Sequence, residues 1–425
     1  MLPGQGEAEE KSTDRPAGVP DPSVATSLPE PIKSFGKLRP DLAERGITFQ
    51  INYIGDTLGN LTGGFKRGAT YNGRFELIVD VDLEKAFGFK DAALHANGFQ
   101  IHGVGLDRHY IGNIFTPSNI EALRATRLFE AWFEQKLVDD KIAIRLGQQG
   151  ADQEFFTTTS GGLYVNSTFG WPGLFSTNLP STGPNYPLAT PAARIKVDVD
   201  PRFAVLGAIF NGDPAGPGPG EPQQRDPAGL NFRLRDPPLL IGELQLKYGR
   251  TSEGEGLGGT LKLGAWEHLG RFPDQRFGVD GLSLANPNSS GVPVLHRGNN
   301  AIYGSIEQQI YRPAGEDAAH GVFVFARAAA SPPDRNLSMW YVDGGVNFNG
   351  LIPSRPDDVF GIGGAYLRIS NQARGLDFDN RLFSGLPTPI RDYEGLVEIT
   401  YNAVVVPGVL IQPTAQYIWH PGGHI

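Results

Sequence analysis

Apolar and polar residues alternate along most of the chain after Ile47. The longest regular stretch covers residues 74–83, where one set of side chains is apolar and the other charged: Phe75, Leu77, Val79, Val81 and Leu83 against Arg74, Glu76, Asp80 and Asp82. Successive side chains of a β-strand point to opposite faces of the sheet, so this pattern predicts a strand with one apolar and one polar face.

About fifteen segments of this kind follow one another. The predicted strands are 47–53, 74–83, 92–104, 127–137, 142–149, 193–199, 203–210, 239–248, 260–269, 301–311, 321–330, 339–349, 359–369, 393–402 and 409–419. Short turns such as Val138–Lys141 alternate with long loops, the longest of which follows Gln149. Short turns at one end and long loops at the other are typical of transmembrane barrels. We therefore predict an all-β fold, a transmembrane antiparallel β-barrel of the sixteen-stranded type.

The alternation is also compatible with a soluble β-sandwich or a β-propeller, and both fit the sequence less well than the barrel. The apolar faces could line the core of a soluble β-sandwich, but the sequence shows no second pattern of buried faces, and so many successive strands fit a lipid-facing surface better. A β-propeller requires a recurring four-stranded signature, which the chain lacks. No apolar run approaches the roughly 18–20 residues that a membrane helix needs.

The predicted strand pair around the Val138–Lys141 turn shows how the faces are assigned. In the first strand, Phe129, Ala131, Phe133 and Leu137 are expected on the lipid side. The other side is then polar and faces the lumen, with Glu130, Trp132, Glu134 and Lys136. In the second strand, Ile142, Ile144 and Leu146 face outward and Arg145 faces inward.

The chain divides into two predicted regions. Residues 1–40 are rich in Pro, Glu, Ser and Asp and are expected to form a flexible tail, and residues 41–425 form the barrel. Helical turns are predicted at residues 40–45 and 118–123. Because bacterial single-chain barrels have an even number of strands, we expect a sixteenth strand to be missing after Ile425. The start of the chain shows no secretion signal, so the sequence is expected to be a mature form or to lack its leader.

Composition narrows the function classes. The net charge of −9 argues against nucleic acid as a partner. The chain has no Cys, and its eight His show no spacing that suggests a metal site. No nucleophile with a positioned base can be assembled from the sequence. We expect no cofactor, no metal and no catalytic activity.

Several motifs resemble those of the carbohydrate-selective porins of the OprB family. They are the run 129–135 (Phe-Glu-Ala-Trp-Phe-Glu-Gln), the segment 145–148 (Arg-Leu-Gly-Gln) leading to Asp152 and Phe155, the loop 169–172 (Phe-Gly-Trp-Pro) and the run 416–423 (Gln-Tyr-Ile-Trp-His-Pro-Gly-Gly). The similarity extends from about Asp41 to the end of the chain. It implies a sixteen-stranded channel in the bacterial outer membrane for the diffusion of glucose and other sugars.

A sugar channel needs planar donors and acceptors for hydroxyl groups and an aromatic face for the pyranose ring. Residues of these types occupy the predicted polar faces near the long loop, or the loop itself. The candidate constriction residues are Arg74, Glu76, Glu130, Trp132, Arg145, Asp152, Trp171, Arg194 and Lys196. The alternative role for each of them does not involve sugar. A charged residue then only keeps the inner wall hydrated, and an aromatic residue only packs beneath the loop.

The leading hypothesis is a passive porin for mono- and oligosaccharides, embedded in outer-membrane lipid as either a monomer or a homotrimer. A general or anion-preferring porin is the first alternative, motivated by Arg74, Arg145, Arg194 and Lys196. A barrel that binds sugar through its surface loops without conducting is the second.

Overall fold

The computed structural model of the chain describes residues 18–20, 22–249 and 256–425. Its strands are β1 Ile47–Asn60, β2 Gly68–Asp82, β3 Ala92–Gly103, β4 Ala125–Leu137, β5 Ile142–Gln149, β6 Thr190–Asp198, β7 Phe203–Asn211, β8 Pro238–Tyr248, β9 Gly259–Gly278, β10 Pro293–Tyr311, β11 Gly321–Ala330, β12 Ser338–Asn349, β13 Val359–Ile369, β14 Tyr393–Val406, β15 Val409–Ile411 and β16 Thr414–Trp419. The helices are α1 Glu30–Lys33, α2 Leu38–Glu44, α3 Leu83–Phe87, α4 Gly173–Asn178, α5 Pro222–Arg225, α6 Asn371–Ser384 and α7 Pro421–His424. None of the helices in the described ranges is long and apolar enough to cross a membrane.

The strands form a single antiparallel sheet in which each strand pairs with its neighbours in sequence. β15 and β16 both pair with β14 and are separated only by Gln412 and Pro413. Pro413 has no backbone N–H to give to the ladder, although its carbonyl still accepts from the N–H of Tyr401 at 3.0 Å. β15 and β16 are thus two halves of one strand, and the sheet is fifteen strands wide, as the alternation predicted.

The outer face of the sheet is apolar and the inner face is mainly polar. On β2, Phe75 and Leu77 are exposed, whereas Arg74 and Glu76 are buried inside. The same exposed apolar positions recur around the sheet, at Leu146, Ile195, Ile209, Leu244, Leu263, Ile302, Ile306, Ile362 and Ile399. A continuous apolar outer surface around polar interior positions is the arrangement of a barrel in lipid.

The loop of residues 150–189, here called the lumen loop, folds into the barrel. Its aromatic side chains pack against inward-facing residues of the wall. Phe156 lies 4.5 Å from the ring of Tyr303, and Tyr164 lies 5.8 Å from that of Phe325. Together they form the main hydrophobic cluster of the described chain. The largest apolar core therefore lies inside the barrel, on the β7–β14 side.

Three local predictions were wrong. Leu83, predicted on the apolar face of the strand 74–83, is instead the first residue of α3 and is buried. Phe129 faces the interior, where its ring lies 5.1 Å from that of Phe99, because a β-bulge interrupts the pairing of β3 with β4. Leu128 and Glu130 lie opposite the consecutive residues Gly98 and Asn97, so Phe129 is the extra residue. The segment 118–123 forms no helix and has only one hydrogen-bonded turn, in which the N–H of Glu121 donates to the carbonyl of Ser118 at 3.2 Å. A single π-helical turn forms earlier in that loop, over Asp107–Ile111.

Near the chain start, α2 contains the helical turn predicted at 40–45. The buried guanidinium of Arg39 donates to the carbonyl groups of Gly18 at 2.7 Å and Phe49 at 3.0 Å. These contacts join the segment before the barrel to β1. Of the predicted tail, residues 1–17 and 21 lie outside the described residues.

Candidate functional site

Four charged side chains form a closed cluster on the inner wall, here called the charged ring: Glu134, Arg145, Glu154 and Arg194. Glu134 contacts Arg145 at 2.9 Å and Arg194 at 2.8 Å. Glu154 contacts Arg194 at 2.7 Å and Arg145 at 3.5 Å. Two guanidinium groups and two carboxylates therefore neutralise one another over a few ångströms.

The strand register explains why these residues meet. Arg145 on β5 pairs directly with Glu134 on β4 and with Arg194 on β6. Directly opposed residues have Cβ atoms about 4.5–5.5 Å apart, and like charges at such positions repel. The carboxylates of Glu134 and Glu154 offset the repulsion between the two arginines, and Glu154 reaches them because the lumen loop folds back over the wall.

Trp132 lies between two other side chains of the inner wall. The His95 ring stacks on one face at 4.6 Å with an interplanar angle of 13°. The Arg145 guanidinium lies 3.7 Å from the indole centroid. The indole Nε1–H has no hydrogen-bond partner among the described residues. Trp132 is thus an internal part of the charged wall, and Arg145 covers one face of its indole.

The polar wall continues from Trp132 towards β2. His95 Nδ1 is 2.7 Å from Asp80, and its Nε2 is 3.8 Å from Glu130. Asn97 donates to Glu76 at 2.9 Å. This row places Glu130 beside the same His95 that stacks on Trp132, and Glu76 further along the wall, on β2.

The remaining predicted residues lie elsewhere. Arg74 is 3.6 Å from Glu76, and its guanidinium lies 4.7 Å from the centre of the Phe99 ring and 5.2 Å from that of Tyr186. Arg74 thus anchors the end of the lumen loop. Lys196 pairs with Asp198 at 3.0 Å, where both side chains are more than a third exposed.

Asp152 and Trp171 are both packed within the lumen loop. Burial raises the pKa of Asp152, whose carboxylate accepts the backbone N–H of Tyr186 at 3.0 Å. The indole of Trp171 donates to the carbonyl of Thr182 at 3.1 Å, and its ring lies 5.1 Å from that of Phe175. The structure places these two residues in the loop interior and not in the charged ring.

Four glutamates of the wall hold the lumen loop through its backbone. Glu130 accepts the N–H of Gly150 at 2.9 Å, and Glu243 that of Phe156 at 2.8 Å. Glu307 accepts the N–H groups of Thr159 and Ser160, and Glu398 those of Val165 and Asn166, at 2.7–2.9 Å. Hydrogen bonds to charged groups are stronger than neutral ones, so these contacts fix the path of the loop across the barrel.

Sequence reasoning missed Glu154 and His95 as members of the site. His95 lies on the predicted strand 92–104, at the position that pairs directly with Trp132. The pairing register of the two predicted strands could have identified His95, because it places His95 directly opposite Trp132. Glu154 gave no periodic signal, because it lies in the loop and meets Arg194 only through the loop's folded path.

One group of residues outside the lumen has ligand types suited to a metal. Asp392, His420 and His424 have potential ligand atoms within 4.8 Å of one another, at the end of the barrel that carries the long loops. The two imidazole rings are stacked at 3.9 Å and nearly parallel, at 16°. Parallel rings do not direct their lone pairs to one point, and the contact of His420 Nδ1 with Asp392 at 2.9 Å accounts for the position of that ring.

The fold and this lumen define the class of protein as an outer-membrane porin. The solved high-pH structure of Pseudomonas putida OprB matches the fold with a TM-score of 0.82 at 22% sequence identity, covering 92% of this chain and 93% of that one. The family model described as "Carbohydrate-selective porin, OprB family" matches residues 66–424 of this sequence. The chain belongs to that family. It is a transport protein of the bacterial outer membrane rather than an enzyme.

Two named relatives extend this comparison along the chain. Porin B of Pseudomonas aeruginosa is 27% identical over 412 residues, covering 92% of this chain and 86% of that protein. The putative porin QuiX of Acinetobacter baylyi is 22% identical over 416 residues, covering 92% of this chain and 88% of that protein. The similarity therefore spans the barrel and the lumen loop.

Proposed function

We propose that this porin conducts glucose and related neutral sugars by passive diffusion and that the charged ring is its constriction. The supporting observation is the close pairing of Arg145 and Arg194 with Glu134 and Glu154. Planar guanidinium and carboxylate groups bind hydroxyl groups well, and here their charges cancel locally. A lumen built in this way favours a neutral, hydroxyl-rich solute over either sign of ion.

Trp132, Glu130 and Glu76 extend this surface along the wall. In this proposal a sugar exchanges hydrogen bonds with the carboxylates and with Arg145 as it passes. Movement of Arg145 away from Trp132 would expose an indole face to the apolar side of the pyranose. Asp152, Trp171 and Arg74 shape and anchor the lumen loop, and Lys196 lies beside the constriction with its partner Asp198.

The test is single-channel conductance in a planar bilayer with glucose, and separately maltotriose, titrated into the chamber. We expect an open channel in salt whose current falls saturably with sugar. Glu154→Gln should weaken the sugar effect by about 3- to 10-fold, the loss expected for one hydrogen bond of ordinary net strength. The matched control is Glu316→Gln, in the short turn between β10 and β11 and outside the charged ring.

Three results would contradict the proposal. Current that is indifferent to sugar would indicate a general porin. Strong anion over cation permeability without a sugar effect would indicate the anion-preferring alternative. Sugar binding to a protein that does not conduct would indicate a surface sugar-binding protein.

A further inference from the structure

A cavity, here called the vestibule cavity, lies between two long loops at the end of the barrel where the lumen loop begins. One loop covers residues 104–124 and the other residues 212–237. The cavity has a volume of about 400 Å³, within the range of small-molecule pockets. Its polar lining consists of Arg108, His109, Glu121, Arg124, Gln223 and Gln224.

The two walls of the vestibule cavity are bonded to each other. Arg108 contacts Glu221 at 2.7 Å, and the backbone N–H of Leu123 donates to the side chain of Gln223 at 2.7 Å. Nearby, the N–H of Leu128 donates to the carbonyl of Ala228 at 3.0 Å. A cavity whose walls are joined in this way is already formed before a ligand arrives, which lowers the cost of binding.

Glu121 fixes one wall of the vestibule cavity. Its Oε2 accepts the backbone N–H groups of Leu106 at 3.0 Å and Asp107 at 3.3 Å. Its Oε1 is buried and has no hydrogen-bond partner in the described part of the chain. The Oε1 atom is enclosed beside Gly105, so Glu121 shapes the wall of the cavity through its backbone contacts.

Arg124 and Gln223 provide hydrogen-bond donors to the cavity, and each side chain is held in place by a hydrogen bond to the backbone. Arg124 uses its Nε–H on the carbonyl of Gly103 at 2.8 Å, which holds the plane of its guanidinium. The side-chain oxygen of Gln223 accepts from Leu123, which leaves its amide N–H₂ as a donor. Val104, Leu123 and Pro227 contribute an apolar part of the lining. This mixture of planar polar groups and apolar carbon suits a saccharide.

The charges of the vestibule cavity largely cancel. Arg108 is paired with Glu221, and above about pH 7, where the Glu121 carboxyl is ionised, Glu121 and Arg124 bring one charge of each sign. An anion would need an excess of positive charge, which these pairs do not provide. The chemistry therefore favours a neutral polyhydroxyl ligand over a phosphate or a carboxylate.

The vestibule cavity is also connected to the lumen. Arg127, just beyond its wall, donates to the carbonyl of Gln223 at 3.3 Å and to that of Pro187, in the lumen loop, at 3.0 Å. The side-chain hydroxyl of Tyr186 donates to the carbonyl of Ile120 at 2.8 Å. The cavity thus lies beside the end of the lumen loop, on the β3–β4 side that carries Trp132 and Glu134.

We propose that the vestibule cavity is an outer docking subsite for neutral saccharides, which holds a sugar at the mouth of the channel before it reaches the charged ring. This inference rests on the proposed function, because it assumes that sugar is the solute. It assigns the loops a binding role separate from that of the constriction.

The first test measures current block by maltotriose added from one side of the bilayer at a time. Gln224→Trp fills the cavity from an exposed position, and Arg124→Gln removes its guanidinium. We expect both variants to lower the rate of block from the loop side by about 3- to 10-fold, with block from the turn side unchanged. Asn380→Trp and Arg381→Gln, exposed positions on α6, are the matched controls. Equal rates in variants and wild type, or equal changes from both sides, would overturn the proposal.

A binding measurement separates this proposal from the constriction. Saturation-transfer NMR with maltotriose on the detergent-solubilised protein should give a saturable signal that Gln224→Trp reduces and Glu154→Gln leaves largely in place. If the wild-type current were indifferent to sugar but this signal were present and lost in Gln224→Trp, the constriction proposal would fail and the vestibule proposal would stand. Absence of a saturable signal, or its persistence in Gln224→Trp, would reject the vestibule subsite.

Discussion

Arg327 and Asp343 form an ion pair at 2.5 Å in which neither side chain has any solvent exposure. The same guanidinium donates to three carbonyl groups of the lumen loop, those of Phe156 at 2.8 Å, Thr168 at 2.9 Å and Gly170 at 3.1 Å. Asp343 also accepts from the hydroxyl of Tyr341 at 2.5 Å. Asp343 on the wall thus orients the arginine that holds two separate turns of the lumen loop.

Replacing one partner of this pair should destabilise the protein and free the loop. In Arg327→Met the carboxylate of Asp343 stays buried without its cation, which typically costs about 3–5 kcal/mol. We expect a lower unfolding temperature in detergent and a noisier, less sugar-sensitive channel current. The double variant Arg327→Met/Asp343→Leu removes the stranded charge and should recover part of the stability. Equal stability of Arg327→Met and wild type would contradict this role.

Glycines on the β12–β13 wall make room for the lumen loop. A Cβ atom on Gly363 would lie 2.7 Å from the Tyr164 ring and 3.0 Å from that of Phe169. We expect Gly363→Val to displace both rings and to cost about 1–3 kcal/mol in unfolding free energy, as overpacking usually does. Gly207→Ala is the control, because its nearest neighbour is an ordinary contact at 3.8 Å. Similar unfolding curves for the two variants would refute this explanation.

The balance of charge in the constriction predicts how its variants select ions. Arg145→Gln leaves Glu134 and Glu154 with one arginine, so the lumen should become cation-selective. Glu154→Gln should shift it in the opposite direction. We expect the ratio of cation to anion permeability to change by about two- to fivefold, measured as a reversal potential in a salt gradient. Lys196→Gln, outside the charged ring, should shift it less, and an equal shift would argue against a constriction at the ring.

Glu121 predicts a pH dependence of stability. Burial, with a smaller effect from nearby Asp107, raises its pKa to about 7 from an ordinary value of 4.5. Between these values the folded protein binds more protons than the unfolded chain. The contribution of neutral Glu121 is therefore complete below about pH 4.5 and is lost as the pH rises through about 7.

Denaturant unfolding at several pH values tests this prediction. Glu121→Gln should remove a decline in stability of up to about 3 kcal/mol between pH 4.5 and 7, the upper limit set by the size of the shift. The pH window and the sign are both informative, because a carboxylate stabilised by an ion pair would give a rise in stability below about pH 4.5 and little change between pH 4.5 and 7. A variant with the same slope as wild type would show that Glu121 does not titrate in this window.

The wall of the barrel could be predicted from the sequence because a strand has a period of two. Arg145 and Arg194 were placed on inward faces by alternation alone, and their adjacency follows from consecutive antiparallel pairing. Phe129 shows where this reasoning fails. A bulge adds one residue to a strand and reverses the faces beyond it, and nothing in the alternation of 127–137 indicates where the extra residue lies.

The lumen loop could be recognised by its length, but its internal contacts could not. Trp171 was a reasonable candidate for sugar contact, since an aromatic residue in a lumen loop can serve a ligand. Its position was decided by the long-range packing of Phe175, which also touches Trp266 on β9. Glu154 likewise contacts Arg194 only because of the path that the folded lumen loop takes. Such contacts join residues far apart in sequence and depend on a path that no local pattern encodes.

The lumen loop rests on one side of the barrel and leaves the other side to the solute. Three of its four glutamate anchors and the wall residues that its aromatic cluster contacts lie on β7–β14, whereas Trp132 and the three wall residues of the charged ring lie on β4–β6. Substitutions on the second side can therefore alter which solutes pass without disturbing the foundation of the loop. The choice of solute can therefore change through substitutions on β4–β6, while the β7–β14 side continues to hold the lumen loop in place.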